Sequence, residues 1–295
     1  MAVDEISQDV TTADGRSLRV AQWGDLDGKP VLSLHGTPGS RLARHPDEEA
    51  VRDAGIRLIT YDRPGYGESD RAAGRRVVDC VSDVEDIMNT LGVATFALTG
   101  RSGGGPHSLA VAARLPDRVL RAECVVGVAP FDADGLDWTA GMDPENLEVF
   151  SWVLQGESVL HDQLARLAAA DLERMAADPS KVLSDDWQLA DADRQILDRH
   201  DVQKVMVEAK REALRPGVWG WVDDDLAFLE PWGFDVDEIQ VPITVRYGSQ
   251  DVMVPPTHGA WLAAHIPGAD VVVDAGEGHL PVPEAVLERM VALVK

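Results

Sequence analysis

Residues 99–105 read Thr-Gly-Arg-Ser-Gly-Gly-Gly, and Ser102 is the side chain among them that could act as a nucleophile. A serine hydroxyl is weak in that role until a neighbouring base takes its proton, and the base needs a third group to orient it. Gly100-Arg101-Ser102-Gly103-Gly104 is a Gly-x-Ser-x-Gly pentapeptide. The apolar, β-prone run 93–98 precedes it, and 106–115 follows with helical composition and a proline near its start. Strand, sharp turn and helix is the setting in which such a serine is presented for attack. The glycines have a steric reason. The serine backbone is strained there, and a Cβ two residues before or after it clashes across the turn.

Two later segments supply the expected partners. Residues 243–251 run as a strand, Ile-Thr-Val-Arg-Tyr, into a loop that ends on the carboxylate of Asp251. Residues 271–279 run as a second strand and loop ending on His279. Serine, acid, histidine is one of the chain orders in which a triad occurs. The competitors lack this strand-end setting. His258 sits at a helix start and reads as surface or structural, and His107 packs in the first turns after the serine. His161, His200 and His265 fall on helical patterns, His45 lies near a helix start, and Asp274 comes too early in its strand. Acyl transfer also needs two backbone N–H groups aimed at the developing oxyanion. Gly103, directly after the serine, predicts one. Thr37 in the loop Leu34-His35-Gly36-Thr37-Pro38-Gly39-Ser40 predicts the other, with His35 bracing that loop.

The elements that must position these residues alternate between strand and helix. Strand-like runs fall at 17–23, 31–34, 57–61, 93–99, 121–128, 243–247 and 271–274, and helical patterns near 46–54, 77–91, 107–115, 259–264 and 283–294. Short apolar strands between helices predict an α/β fold, a mostly parallel central sheet with helices on both faces. Asp14-Gly15 reads as a hairpin turn joining a first antiparallel pair. Ligand sites of such sheets gather beyond the carboxyl ends of the strands, where Ser102, Asp251 and His279 all emerge.

The alternation breaks over 131–232, which has helical patterns at 157–177 and 202–214 but no convincing buried strand. We read it as an inserted helical cap on a core formed by 1–130 and 233–295. Six of the eight tryptophans, Trp138, Trp152, Trp187, Trp219, Trp221 and Trp232, fall inside it. They serve either the cap's own small core or a pocket for a bulky apolar substrate. The cap holds 23 acidic against 9 basic side chains, so −14 of the net −24 lies there. If some of Asp223, Asp224, Asp225 and Glu230 stand at the opening, the entrance carries a negative potential that disfavours anionic thioesters.

The bulk numbers set the frame. A chain of 295 residues suits one large α/β domain, with or without an insertion, and 45% apolar residues can bury a sizeable core. The acidity means solubility or adaptation to a saline cytoplasm. It argues against nucleic acid, which needs a basic footprint, and against anionic membrane surfaces. No run of about 18 apolar residues suggests a membrane span. Residues 1–5 lack the basic start and apolar stretch of a leader, which makes a cytoplasmic location the expectation. Cys80 and Cys124 read as buried free thiols.

The chain resembles the α/β-hydrolase superfamily, in the lid-bearing branch of serine esterases and proline-iminopeptidase-like hydrolases. The resemblance rests on His35-Gly36-Thr37-Pro38-Gly39, Asp62-Arg63-Pro64-Gly65-Tyr66-Gly67-Glu68-Ser69, the Ser102 turn, Gly248-Ser249-Gln250-Asp251 and Gly278-His279. These segments cover both ends of the chain, and the cap matches only in position and helical character. The resemblance implies hydrolysis of an ester, amide or related acyl bond of a small molecule, with no metal or cofactor. It also implies supporting roles for Arg63 and Ser69. A serine nucleophile is unlike the aspartate of haloalkane dehalogenases and epoxide hydrolases of this fold. The first expectation is a carboxylesterase for a small to medium, largely apolar ester. The alternatives are a proline-iminopeptidase-like aminopeptidase, or a cofactorless lyase or cyclase using His279 as base while Ser102 positions the substrate.

Overall fold

The computed structural model describes residues 6–184 and 186–295. Residues 1–5, read above for the absence of a leader, lie outside the described residues. In chain order the elements are β1 (Ile6–Thr11), β2 (Ser17–Gly24), β3 (Lys29–Leu34), α1 (Glu48–Asp53), β4 (Ile56–Tyr61), α2 (Cys80–Thr90), β5 (Phe96–Arg101), α3 (Gly104–Arg114) and β6 (Val119–Val125). Five helices follow: α4 (Pro144–Val153), α5 (Glu157–Ala177), α6 (Asp191–Leu197), α7 (His200–Ala213) and α8 (Trp219–Leu229). The chain closes with β7 (Ile243–Gly248), α9 (Pro256–His265), β8 (Asp270–Asp274) and α10 (Pro283–Leu293).

The eight strands form one sheet in the order β1-β2-β4-β3-β5-β6-β7-β8. β2 runs antiparallel to both its neighbours, and every pair from β4 to β8 is parallel. Asp14-Gly15 turns β1 into β2, with Gly15 at φ 91°. The alternation of strand side chains sorts the core into two layers. Leu32, Leu34, Phe96 and Leu98 face α2, α3 and α9, whereas Val31, Leu58 and Ala97 face α1 and α10. Thr99 and Arg101 follow Ala97 onto the α10 side. β3 and β5 lie side by side at the sheet's centre although their crossovers leave in opposite directions. Their carboxyl ends are thus a topological switch point.

Between β6 and β7 the described residues form helices and no strand. The segment does not keep its hydrophobic residues to itself. Val149, Val153, Leu160, Leu164, Ala213, Val218 and Val222 cluster among α4, α5, α7 and α8. Trp138, Met142, Ala227, Phe228 and Trp232, by contrast, join the main core under the sheet. Cys80 and Cys124 are buried free thiols, as their apolar settings predict. No helix among the described residues is long and apolar enough to cross a membrane.

Candidate active site

Ser102 occupies the single turn between β5 and α3, at φ 54°. A left-handed backbone is costly for a serine and persists where its surroundings over-determine it. Here the Ser102 N–H donates to Val125 O at 2.9 Å, and the Gly105 N–H donates to Ser102 O at 2.7 Å. The flanking glycines are required by space. A Cβ on Gly100 would stand 2.2 Å from Gly104 O, and one on Gly104 would stand 2.3 Å from Leu34 O.

His279 and Asp251 meet at the ends of β8 and β7. The His279 ring shares a 2.8 Å hydrogen bond through Nδ1 with Asp251 Oδ2, and both residues are buried. Asp251 Oδ1 accepts the Met253 and Val254 amides at 2.8 and 2.9 Å, so the carboxylate is held from both sides. With Nδ1 donating to the acid, Nε2 is the nitrogen left to accept a proton. Ser102 and His279 both line a cavity of about 380 Å³. A second, of about 80 Å³, opens beside Ser102, Thr37 and Gly103.

Thr37 and Gly103 are brought face to face. A Cβ on Gly103 would lie 2.2 Å from Thr37 Oγ1. Among the described residues neither amide N–H is taken up by another group. The loop carrying Thr37 is tied from below. His35 donates from Nδ1 to Gly36 O at 2.7 Å and accepts the Arg63 amide at Nε2, a bracing role as expected. Arg63 also donates to His35 O and to Thr37 Oγ1. Ser69 Oγ donates to Asp62 O at 2.6 Å. His107 donates from Nδ1 to Gly103 O at 2.9 Å. His258 is buried rather than on the surface, bridging the Ala129 amide and Trp138 O.

Sequence reasoning missed the residues that bind the helical segment to these loops. Asp224, on α8, is wholly buried and its Oδ2 accepts from Thr37 Oγ1 at 2.6 Å, Arg63 at 2.6 Å and Tyr66 OH at 2.8 Å. Arg75 lies 2.8 Å from its other oxygen. Burial works to raise the pKa of this carboxyl, but the Arg63 and Arg75 charges outweigh it and hold it well below the usual range. Asp193, on α6, accepts the His279 and Leu280 amides at 3.0 and 2.6 Å. On α4, Asn146 donates to Met253 O at 2.8 Å and the Asp143 amide donates to Val252 O. An Asp-Asp-Asp run in an acidic segment looks like a solvated face. The signal that could have found Asp224 was the need of Arg63 for a buried counter-ion.

Three of the four acids named for a negative entrance are buried. Asp223 is buried against Arg71, Asp224 against Arg63 and Arg75, and Asp225 is buried too, leaving only Glu230 exposed. Of the six tryptophans, Trp187 and Trp221 line the large cavity. Trp138 and Trp232 belong to the main core, Trp152 packs among the helices between β6 and β7, and Trp219 stacks on His161 beneath Arg71.

Residues 29–286 match the family model described as alpha/beta hydrolase fold. The chain belongs to that family. It is 28% identical to the dihydrolipoyllysine-residue acetyltransferase component of an acetoin cleaving system from Pseudomonas putida, over 95% of this chain and 67% of that protein. It is 25% identical to a probable proline iminopeptidase from Leptolyngbya boryana, over 92% and 87%. Among solved structures it is similar to an alpha/beta hydrolase fold protein from Nakamurella multipartita. There the TM-score is 0.67 at 25% identity, covering 98% and 99% of the two chains.

Proposed function

We propose that this α/β hydrolase cleaves a carboxylic ester of a small to medium substrate through an acyl-enzyme on Ser102. The observation that carries the reading is that a strained serine and a histidine held through Nδ1 by Asp251 line the same cavity. His279 Nε2 takes the Ser102 proton as Oγ attacks the carbonyl carbon, and the Thr37 and Gly103 amides hold the resulting oxyanion. The protonated His279 then returns that proton to the departing alcohol. Water repeats the sequence on the acyl-enzyme, freeing the acid and Ser102.

The aminopeptidase alternative drew its support from an acidic cap that could hold a substrate ammonium. Asp223 and Asp224 are instead committed to arginines, so the ester reading is favoured. A fluorophosphonate probe is expected to label the protein at Ser102, and Ser102→Ala and His279→Ala are each expected to lower kcat roughly 10⁴–10⁶-fold on an aryl ester. Turnover that survives Ser102→Ala, in a protein the probe does not label, would defeat the proposal.

A further inference from the structure

The large cavity is charged opposite to the molecule around it. Five basic side chains line it, against the acids Glu145 and Asp171, in a protein of net charge −24. Three of the five are spoken for: Arg44 by Glu48 and Glu208, and Arg174 and Lys210 by Asp171. Arg289, on α10, has a buried Nε without a hydrogen bond and only a 3.7 Å approach to Glu123, which Arg246 already engages at 3.0 Å. Arg101 is barer still. It ends β5 immediately before Ser102, it lines the cavity on the α10 side, and none of its guanidinium nitrogens has a hydrogen-bond or ion-pair partner among the described residues.

No carboxylate among the described residues is in contact with its guanidinium. Asp193 and Asp251 attract Arg101 through space, yet both carboxylates are occupied by the His279 loop and, for Asp251, by the His279 ring. Burial and the neighbouring Arg289 both work against its charge. A partly buried guanidinium whose N–H groups have no acceptor is destabilising on its own. It is tolerated where something arrives to pair with it, and its planar fork of N–H donors matches a carboxylate. Around it the wall is apolar, with Leu58, Val125, Val286 and Met290, which excludes water and strengthens such a pair.

We propose that Arg101, assisted by Arg289, is the binding site for a carboxylate, and that the substrate is therefore an ester or lactone carrying a free acid group. The second half rests on the serine-hydrolase reading; the anion site itself does not. It narrows the largely apolar substrate of the sequence expectation to one with an anionic end, and reverses the electrostatic preference inferred from the acidic cap.

The test compares an aryl hemi-ester of adipic acid with the aryl ester of hexanoic acid, which has the same number of acyl carbons and ends in a methyl group. Wild type is expected to favour the hemi-adipate in kcat/KM by about tenfold or more, and Arg101→Met to erase that ratio chiefly through KM. A wild-type preference for the hexanoate, or a ratio that Arg101→Met leaves in place, overturns the proposal. A second arm needs no turnover. Adipate titrated into Ser102→Ala is expected to bind, dimethyl adipate to bind at least about tenfold more weakly, and high salt to weaken adipate alone. If neither ester is cleaved through Ser102, the hydrolase reading fails and adipate binding decides the anion site by itself. If both esters are cleaved but adipate does not bind, the anion site fails and the hydrolase reading stands. Should Arg101→Met not fold, Arg289→Met takes its place in the ratio, with the adipate comparison on Ser102→Ala unaffected.

Discussion

Asp225 and Asp224 are neighbours on one helix, equally buried, and held in opposite states. Asp224 has two arginines and stays ionised, whereas Asp225 has a buried Oδ2 with no hydrogen-bond partner. Burial first, and the Asp224 charge second, push its pKa well above the usual carboxylate range. The sign follows directly. A carboxyl raised on folding contributes its full stability below the unfolded value near 3.8 and loses it as pH rises toward the folded value. At neutral pH the folded protein therefore bears a cost that an uncharged isostere does not. Asp225→Asn is expected to stabilise the protein by about 1–3 kcal/mol at pH 7 and by much less at pH 4. Thermal melts of the two proteins at both pH values check this, and an Asn variant that is less stable at pH 7 contradicts it. The same pair shows what a sequence conceals at this scale. Ser102, Asp251 and His279 could be read because turn glycines and strand ends mark them. Asp224 and Asp225 carry no mark, because the arginines that separate them lie about 150 residues earlier.

The helices between β6 and β7 do more than cover the sheet, since each loop of the candidate site is gripped by one of them. α8 holds Thr37 through Asp224, α4 holds the Asp251 loop through Asn146, and α6 holds the His279 loop through Asp193. The last contact is tight enough that a Cβ on Gly278 would lie 2.0 Å from the Asp193 carboxylate. Asp193 touches no reacting atom and is a positioning residue. Asp193→Asn puts an NH₂ against one of two amide donors, so the His279 backbone shifts while Asp251 and the cavity remain. The expectation is a kcat lowered roughly 10–100-fold with KM little changed, because a small displacement of a general base affects the transition state rather than ground-state binding. Steady-state kinetics on an aryl ester decide it; equal loss in both variables, or none, argues for a purely structural contact. Element by element, the sequence made the sheet legible, since its short apolar strands and glycine-bounded turns are local signals. α5 was also readable over 157–177, as observed. α4, α6 and α8 were not, because their packing against site loops is set by distant polar partners rather than by their own periodicity.

The whole molecule is acidic outside and basic within its cavity, and it also buries several histidines in the neutral form. Burial lowers the pKa of His258 to about 4 and of His107 to about 3, with Arg63 adding to the effect on His107. In the folded protein both rings stay neutral as the pH drops below 6.5, whereas the unfolded chain takes up a proton on each. Unfolding therefore binds protons across this window. Stability is full above the unfolded value and falls as pH goes from 6.5 down through about 4 for His258 and about 3 for His107. Each ring contributes a slope of at most about 1.4 kcal/mol per pH unit. Asp225 opposes this trend, gaining stability as the pH falls toward 3.8. His35 is lowered by burial in the same way, and burial raises the carboxyls of Asp62, Asp83 and Glu145 as it does that of Asp225, so the share of the acid slope that belongs to one ring is read from a variant rather than from the net melting curve. His258 can be isolated because its two hydrogen bonds, to the Ala129 amide and Trp138 O, suit a neutral amide side chain. His258→Gln is expected to lower stability at pH 7 and to flatten the acid slope by about one proton. Chemical denaturation across that range gives the proton uptake directly, and identical slopes for the two proteins would rule out His258 as its source.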